Sequence, residues 1–125
     1  MLRNIDAHPI VAVTDLARAR LFYGKTLDLP EETADATMAV YRTGATRLTV
    51  YVSEYAGSNL ANAVVWAMGK GLEDVVRALT GRGVTFEKYD FPGTTFEDGV
   101  HLAGDARMAW FKDPDGNILH LVQGM

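Results

Sequence analysis

The order strand, helix, strands runs twice along this 125-residue chain, and that repetition restricts the fold more than any other feature. Ile10-Val11-Ala12-Val13 is a short β-rich run. Pro9 before it lacks an amide donor and suits a strand start or a sheet edge. Thr14 and Asp15 supply N-capping oxygens, with Asp15 favoured by the helix dipole, for a helix from Leu16 to about Lys25. Strand expectations follow at Glu31 to Ala34, Thr37 to Arg42 and Arg47 to Ser53. In the last of these, Leu48, Val50 and Val52 alternate with Arg47, Thr49, Tyr51 and Ser53, and Thr43-Gly44-Ala45 reads as the turn before it.

After a Gly57-Ser58-Asn59 stretch the pattern restarts. Asn62 to Met68 reads as a strand, and Leu72, Val75, Val76 and Leu79 recur at the i, i+3, i+4, i+7 spacing of an amphipathic helix. Gly81 and Gly83 offer its stop. Val84 to Tyr89 alternates as a strand does, and Phe91 to Asp105, with glycines at 93, 99 and 104, reads as a loop. Arg107 to Lys112 and Asn117 to Gln123 are strands joined by Asp113-Pro114-Asp115-Gly116, strong turn chemistry. One such unit cannot bury both faces of its sheet, whereas two together can. The expected fold is therefore α+β: two βαβββ modules forming a curved mixed sheet around a cavity. As one domain, it comprises module 1 at about 1–55, a linker at 56–61 and module 2 at about 62–125.

Composition removes several classes of function. The formal net charge is -4 and the basic residues are scattered, which argues against nucleic acid as a partner. With no cysteine there is no disulfide, iron–sulfur cluster or cysteine nucleophile, and a cytoplasmic location is expected. The longest apolar run, Ala63 to Met68, is too short to span a bilayer, so no membrane association is expected.

Ala109-Trp110-Phe111-Lys112-Asp113-Pro114-Asp115-Gly116-Asn117-Ile118-Leu119-His120-Leu121-Val122-Gln123 resembles the terminal hairpin of the glyoxalase/bleomycin-resistance/dioxygenase proteins, the vicinal oxygen chelate superfamily. Val13-Thr14-Asp15-Leu16 with Phe22-Tyr23 resembles that superfamily's first strand-to-helix junction, and Gly83 to Glu87 the exit from its second helix. The segment Glu87 to Gly93 further resembles an uncharacterised branch of small bacterial proteins. The resemblance implies a small-molecule ligand held between the modules and a homodimer.

The same resemblance implies four ligand positions for one divalent metal ion (Zn, Ni, Mn or Fe), leaving room for a substrate's vicinal oxygens. His8 and His120 fall at the first and last of them. The second falls at Thr49 or Tyr51 and the third at Asn62, none of them an ordinary ligand for such a site; Glu54 would serve after a shift of alignment. The alternative is that His8 and His120 are pocket histidines with no metal. Thr49, Tyr51, Asn62, Trp66 and Trp110 are the expected pocket residues, each aromatic equally explicable as core. Strand alternation puts Trp66 on the face of Asn62 and Val64. Glu97, Asp98 and His101 lie in the expected loop, read as solvated surface or dimer contact ahead of a lid.

Three functions stay open on these residues. One is an enzyme acting on a small oxygenated metabolite through a metal at His8 and His120. Another is a metal-free protein sequestering a drug or metabolite in the manner of bleomycin resistance. The third is a metal-free enzyme with His8 or His120 as general base. Classical glyoxalase I chemistry is disfavoured, because its two glutamates are missing from the ligand positions.

Overall fold

The computed structural model describes residues 1–124, which divide into two compact units between Asn59 and Leu60. In the first unit, strand β1 (Ile10–Val13) leads into helix α1 (Leu16–Arg20), whose N-cap Asp15 accepts the Arg18 amide at 3.1 Å. Strands β2 (Glu31–Ala34), β3 (Met38–Thr43) and β4 (Thr46–Val52) complete a mixed sheet of order β1-β4-β3-β2, in which β1 runs parallel to β4. The expected α-helix to Lys25 holds only in its first half. Leu21–Thr26 forms a π-helical turn, closed by the Leu27 amide bonding to the Phe22 carbonyl at 2.9 Å. Such a turn inserts one extra residue into the helical path.

One face of this sheet is core. Val11, Val13, Ala39, Tyr41, Leu48 and Val50 are buried there, together with Ala19 and Tyr23 of the helical segment. Each fully buried leucine or valine contributes roughly 1.5–3 kcal/mol relative to exposure. The register pairs Ile10 with Thr49 and Ala12 with Tyr51, so these side chains share the opposite, more open face. Val52, which alternates in step with Leu48 and Val50, is 43% exposed at the end of β4.

The second unit contains β5 (Asn62–Met68), α2 (Leu72–Gly81), β6 (Thr95–Glu97), β7 (Val100–Ala103), β8 (Ala106–Lys112) and β9 (Ile118–Gln123). The sheet order is β5-β9-β8-β7-β6, with β5 parallel to β9 and the other pairs antiparallel. Helix α2 ends in a Schellman arrangement. The Val84 amide bonds to the Leu79 carbonyl and the Gly83 amide to the Thr80 carbonyl, with Gly83 at φ 92°.

Two expectations for this unit are overturned. Phe91 to Asp105 is not a loop but holds the β6–β7 hairpin, in which Glu97 pairs with Val100 across Asp98 (φ 51°) and Gly99 (φ 87°). Both central residues take positive φ, as a type I′ turn requires, and Asp-Gly is a preferred sequence for it. Conversely, Val84 to Tyr89 is not a strand. It touches the sheet through an isolated bridge from Phe86 to Phe111 and the Glu87 amide bonding to the Trp110 carbonyl at 2.8 Å. Alternation without a continuous partner strand does not make a ladder. The α+β class with two mixed sheets stands, and no helix among the described residues is long and apolar enough to cross a membrane.

Candidate functional site

The terminal hairpin is built by a short polar network. Asp113, 5% exposed, accepts the Asp115 and Asn117 amides through Oδ1 at 2.9 Å each, and the Asn117 side-chain amide through Oδ2 at 2.8 Å. This fixes the β8–β9 register, which sets Trp110 opposite His120 and Ala109 opposite Leu121. Ala109, Phe111, Leu119 and Leu121 are buried on one face of the sheet; Trp110 and His120 belong to the other.

On that second face the His120 ring stacks on the Trp110 indole, with centroids 4.4 Å apart and planes 12° from parallel. His120 Nδ1 lies 3.1 Å from the Ala109 carbonyl oxygen. A carbonyl can only accept, so the proton resides on Nδ1 and the Nε2 lone pair is left bare. Desolvation by burial lowers the pKa of His120, outweighing the opposing effect of the Ala109 hydrogen bond, and favours the neutral ring.

Trp110 itself is 7% exposed, the centre of an aromatic cluster. Tyr89 meets it edge-on at 5.3 Å, Phe91 at 5.3 Å and His101 edge-on at 5.1 Å. The sequence reading did not select Tyr89, Phe91 or His101 for this cluster. The Asp98-Gly99 pair was the available signal, since the hairpin it nucleates sets His101 across from Met108 on the Trp110 face.

Asn62 and Trp66 do not share a face. A bulge between Asn62 and Val64 breaks the alternation: Asn62 pairs with Ile118, on the His120 side, while Trp66 pairs with Leu121, on the other. In the first unit, Thr49 and Tyr51 sit together on the open face, and His8 is fixed at the entry to β1. The Arg47 amide donates to His8 Nδ1 at 3.1 Å, so a neutral His8 carries its proton on Nε2.

The two histidines thus present opposite tautomers. His120 offers a nitrogen lone pair, whereas the lone pair of His8 is already occupied. A divalent metal needs deprotonated donors, and binding to His8 would require giving up the Arg47 hydrogen bond. Thr49, Tyr51 and Asn62 add no ordinary ligand, and no group of three His, Asp or Glu side chains suited to a metal occurs among the described residues. The donor set does not fit the four-ligand pattern that the resemblance implies.

No family model matches the sequence, and no curated protein matches it. Solved structures do. The chain is similar to the fosfomycin resistance protein FosX of Listeria monocytogenes, at 12% identity and a TM-score of 0.72 over 96% of this chain and 93% of that one. It is similar to a glyoxalase family protein of Enterococcus faecalis, at 16% identity and a TM-score of 0.72 over 98% of this chain and 99% of that one. A glyoxalase/bleomycin resistance protein/dioxygenase of Alicyclobacillus acidocaldarius gives 16% identity and a TM-score of 0.72 over 96% and 91%. The fold is that of the glyoxalase/bleomycin resistance/dioxygenase proteins, as the terminal hairpin led one to expect.

Proposed function

We propose that this protein, with its glyoxalase-type fold, binds a small organic molecule at the Trp110–His120 face of its second unit, without a divalent metal. The supporting observation is the tautomer of His120. Its Nδ1–H is spent on the Ala109 carbonyl, its ring is backed by Trp110, and its Nε2 lone pair makes no hydrogen bond among the described residues. Such a nitrogen accepts from a ligand O–H or N–H, while Phe91, 43% exposed, and Trp110 supply apolar contact. Asn62, on the same face, adds an amide that both donates and accepts.

The same lone pair supports a second reading. A histidine held neutral by burial is a competent general base, so a ligand with an acidic C–H or O–H would be turned over and not merely held. An enzyme of this kind would have a pH–rate profile governed by one group and be indifferent to chelators. A homodimer belongs to either reading: exposed Ile10 and Val65 lie on the edge strands β1 and β5, and unpaired edges favour association.

The test is a titration followed by Trp110 fluorescence in a Trp66→Phe background, with and without chelator. Fosfomycin, named for one similar structure, bleomycin, and neutral hydroxylated aromatics form the starting panel. The reading expects saturable quenching that survives chelation and is lost in His120→Ala. Binding that requires a stoichiometric divalent ion would overturn it and return His120 to the role of metal ligand.

A further inference from the structure

A buried histidine beneath the Trp110 cluster has no part in ligand contact and yet is poorly suited to a core. His101 is fully buried, and its Nδ1 has no hydrogen-bond partner among the described residues. Its Nε2 receives the Tyr89 amide at 2.9 Å. The Tyr89 carbonyl oxygen also lies 3.2 Å from Nε2, but the amide contact is the shorter, and an amide N–H can only donate. This assigns the lone pair to Nε2 and the proton to Nδ1, whereas the other tautomer would donate from Nε2 to the carbonyl. Around the ring stand Phe96 at 4.8 Å, Trp110 at 5.1 Å, Phe91 at 5.9 Å and Tyr89 at 6.1 Å. A leucine would fill such an apolar box without burying an unsatisfied donor, so packing alone does not account for an imidazole here.

What the imidazole does supply is one anchor. Lys88 to Thr94 is a strap without strand structure, turned at Phe91 to Thr94, where the Thr94 hydroxyl donates to the Phe91 carbonyl at 2.8 Å. Among the described residues, the Tyr89–His101 contact is the hydrogen-bonded attachment of this strap to the sheet; its other attachments are ring contacts. The strap carries Tyr89 and Phe91, two of the rings packed against the Trp110 indole.

We propose that His101 is a positioning residue that, by accepting the Tyr89 amide from below, holds the 88–94 strap across Trp110 and so controls access to the indole. Its relevance to a ligand rests on the site proposed above; the latch itself does not. Losing one net hydrogen bond raises the open population of the strap by about two- to tenfold. The residue needed at position 101 is an acceptor at the Nε2 position, which glutamine can present through Oε1 and leucine cannot.

The experiment compares wild type, His101→Leu and His101→Gln, all in the Trp66→Phe background, where Trp110 is the sole tryptophan. Tyr89 amide exchange and acrylamide quenching of Trp110 are read by NMR and fluorescence. In His101→Leu both rise by about two- to tenfold while resistance to urea is unchanged or higher; His101→Gln stays near wild type. A structural role alone would lower urea resistance without separating Leu from Gln. Leucine with wild-type exchange, or glutamine no better than leucine, overturns the proposal. Nitrogen-15 spectra of the wild-type imidazole test it without any variant: a proton on Nε2 overturns it, and a proton on Nδ1 supports it. If the latch behaves as stated while the fluorescence titration finds no ligand, the proposed function fails and the latch stands; the converse is equally readable.

Discussion

His120 lies flat on Trp110 with its Nδ1–H turned to the Ala109 carbonyl, so the register of one hairpin decides the tautomer of the ring. Burial lowers the His120 pKa in the folded protein below the ordinary histidine value of about 6.5. The unfolded chain therefore binds this proton more readily. Above about pH 6.5 neither state is protonated there and the group has no effect on stability. As pH falls from that value through the folded pKa, stability declines, and below it the loss is constant. Urea unfolding as a function of pH should show this decline in wild type and a weaker one in His120→Gln. Equal slopes would mean that the ring titrates as in water.

Asp113 is expected to be the residue on which the hairpin depends most. Asp113→Ala leaves the Asp115 and Asn117 amides without their acceptor and should cost about 2–4 kcal/mol in urea unfolding. A loss below about 0.5 kcal/mol, the scale of ordinary surface substitutions, would show that water replaces the carboxylate.

Gly99 and Gly116 separate backbone strain from steric conflict. Both have positive φ, but a Cβ at Gly99 would stand 3.1 Å from Phe86 Cβ and 3.2 Å from Val76 Cγ1, whereas at Gly116 it would meet nothing within 4 Å. Alanine should cost about 1 kcal/mol at Gly116 and about 2–3 kcal/mol at Gly99. Similar losses at the two sites in urea unfolding would remove the steric component.

Glu32 pairs with Arg42 at 2.7 Å and Arg47 at 2.5 Å, and its hydrogen bond to Arg47, ahead of the other causes, lowers its pKa. The stability that this confers is present above the ordinary glutamate value of about 4.3 and is lost as pH falls through the folded value. Glu32→Gln should flatten that part of the acid limb at low salt, and high salt should flatten it in wild type, since the pairs are exposed to solvent.

Trp66 and Trp110 should respond differently to a bound ligand. Because Trp66 pairs with Leu121 on the far face of the sheet, Trp66→Phe should leave ligand affinity unchanged while His120→Ala abolishes it. Loss of binding in both variants would mean that the bulge at Asn62 does not turn the strand as described.

Local chemistry carried much of the architecture. The strand at Ile10–Val13, the helix at Leu72–Gly81 and the Asp113–Asn117 turn follow from β-branched runs, 3.6-residue periodicity and turn-forming side chains acting over a few residues. The Asp98-Gly99 hairpin was equally available in the sequence, but the surrounding glycines concealed it as a loop. The bulge before Val64 was not, because a one-residue slip in pairing is set by the partner strand β9 and reverses which residues share a face.

The sequence by itself determined the element order of the first unit, the opening strand, helix and terminal hairpin of the second, the exclusion of cysteine chemistry and the presence of histidines capable of nitrogen chemistry. Tertiary structure decided what each histidine offers. An imidazole's free lone pair depends on which nitrogen a neighbouring backbone group occupies, and those groups come from elsewhere in the chain: Arg47 for His8, Tyr89 for His101 and Ala109 for His120. Residue identity states that a proton can be held; the packing of distant strands decides where.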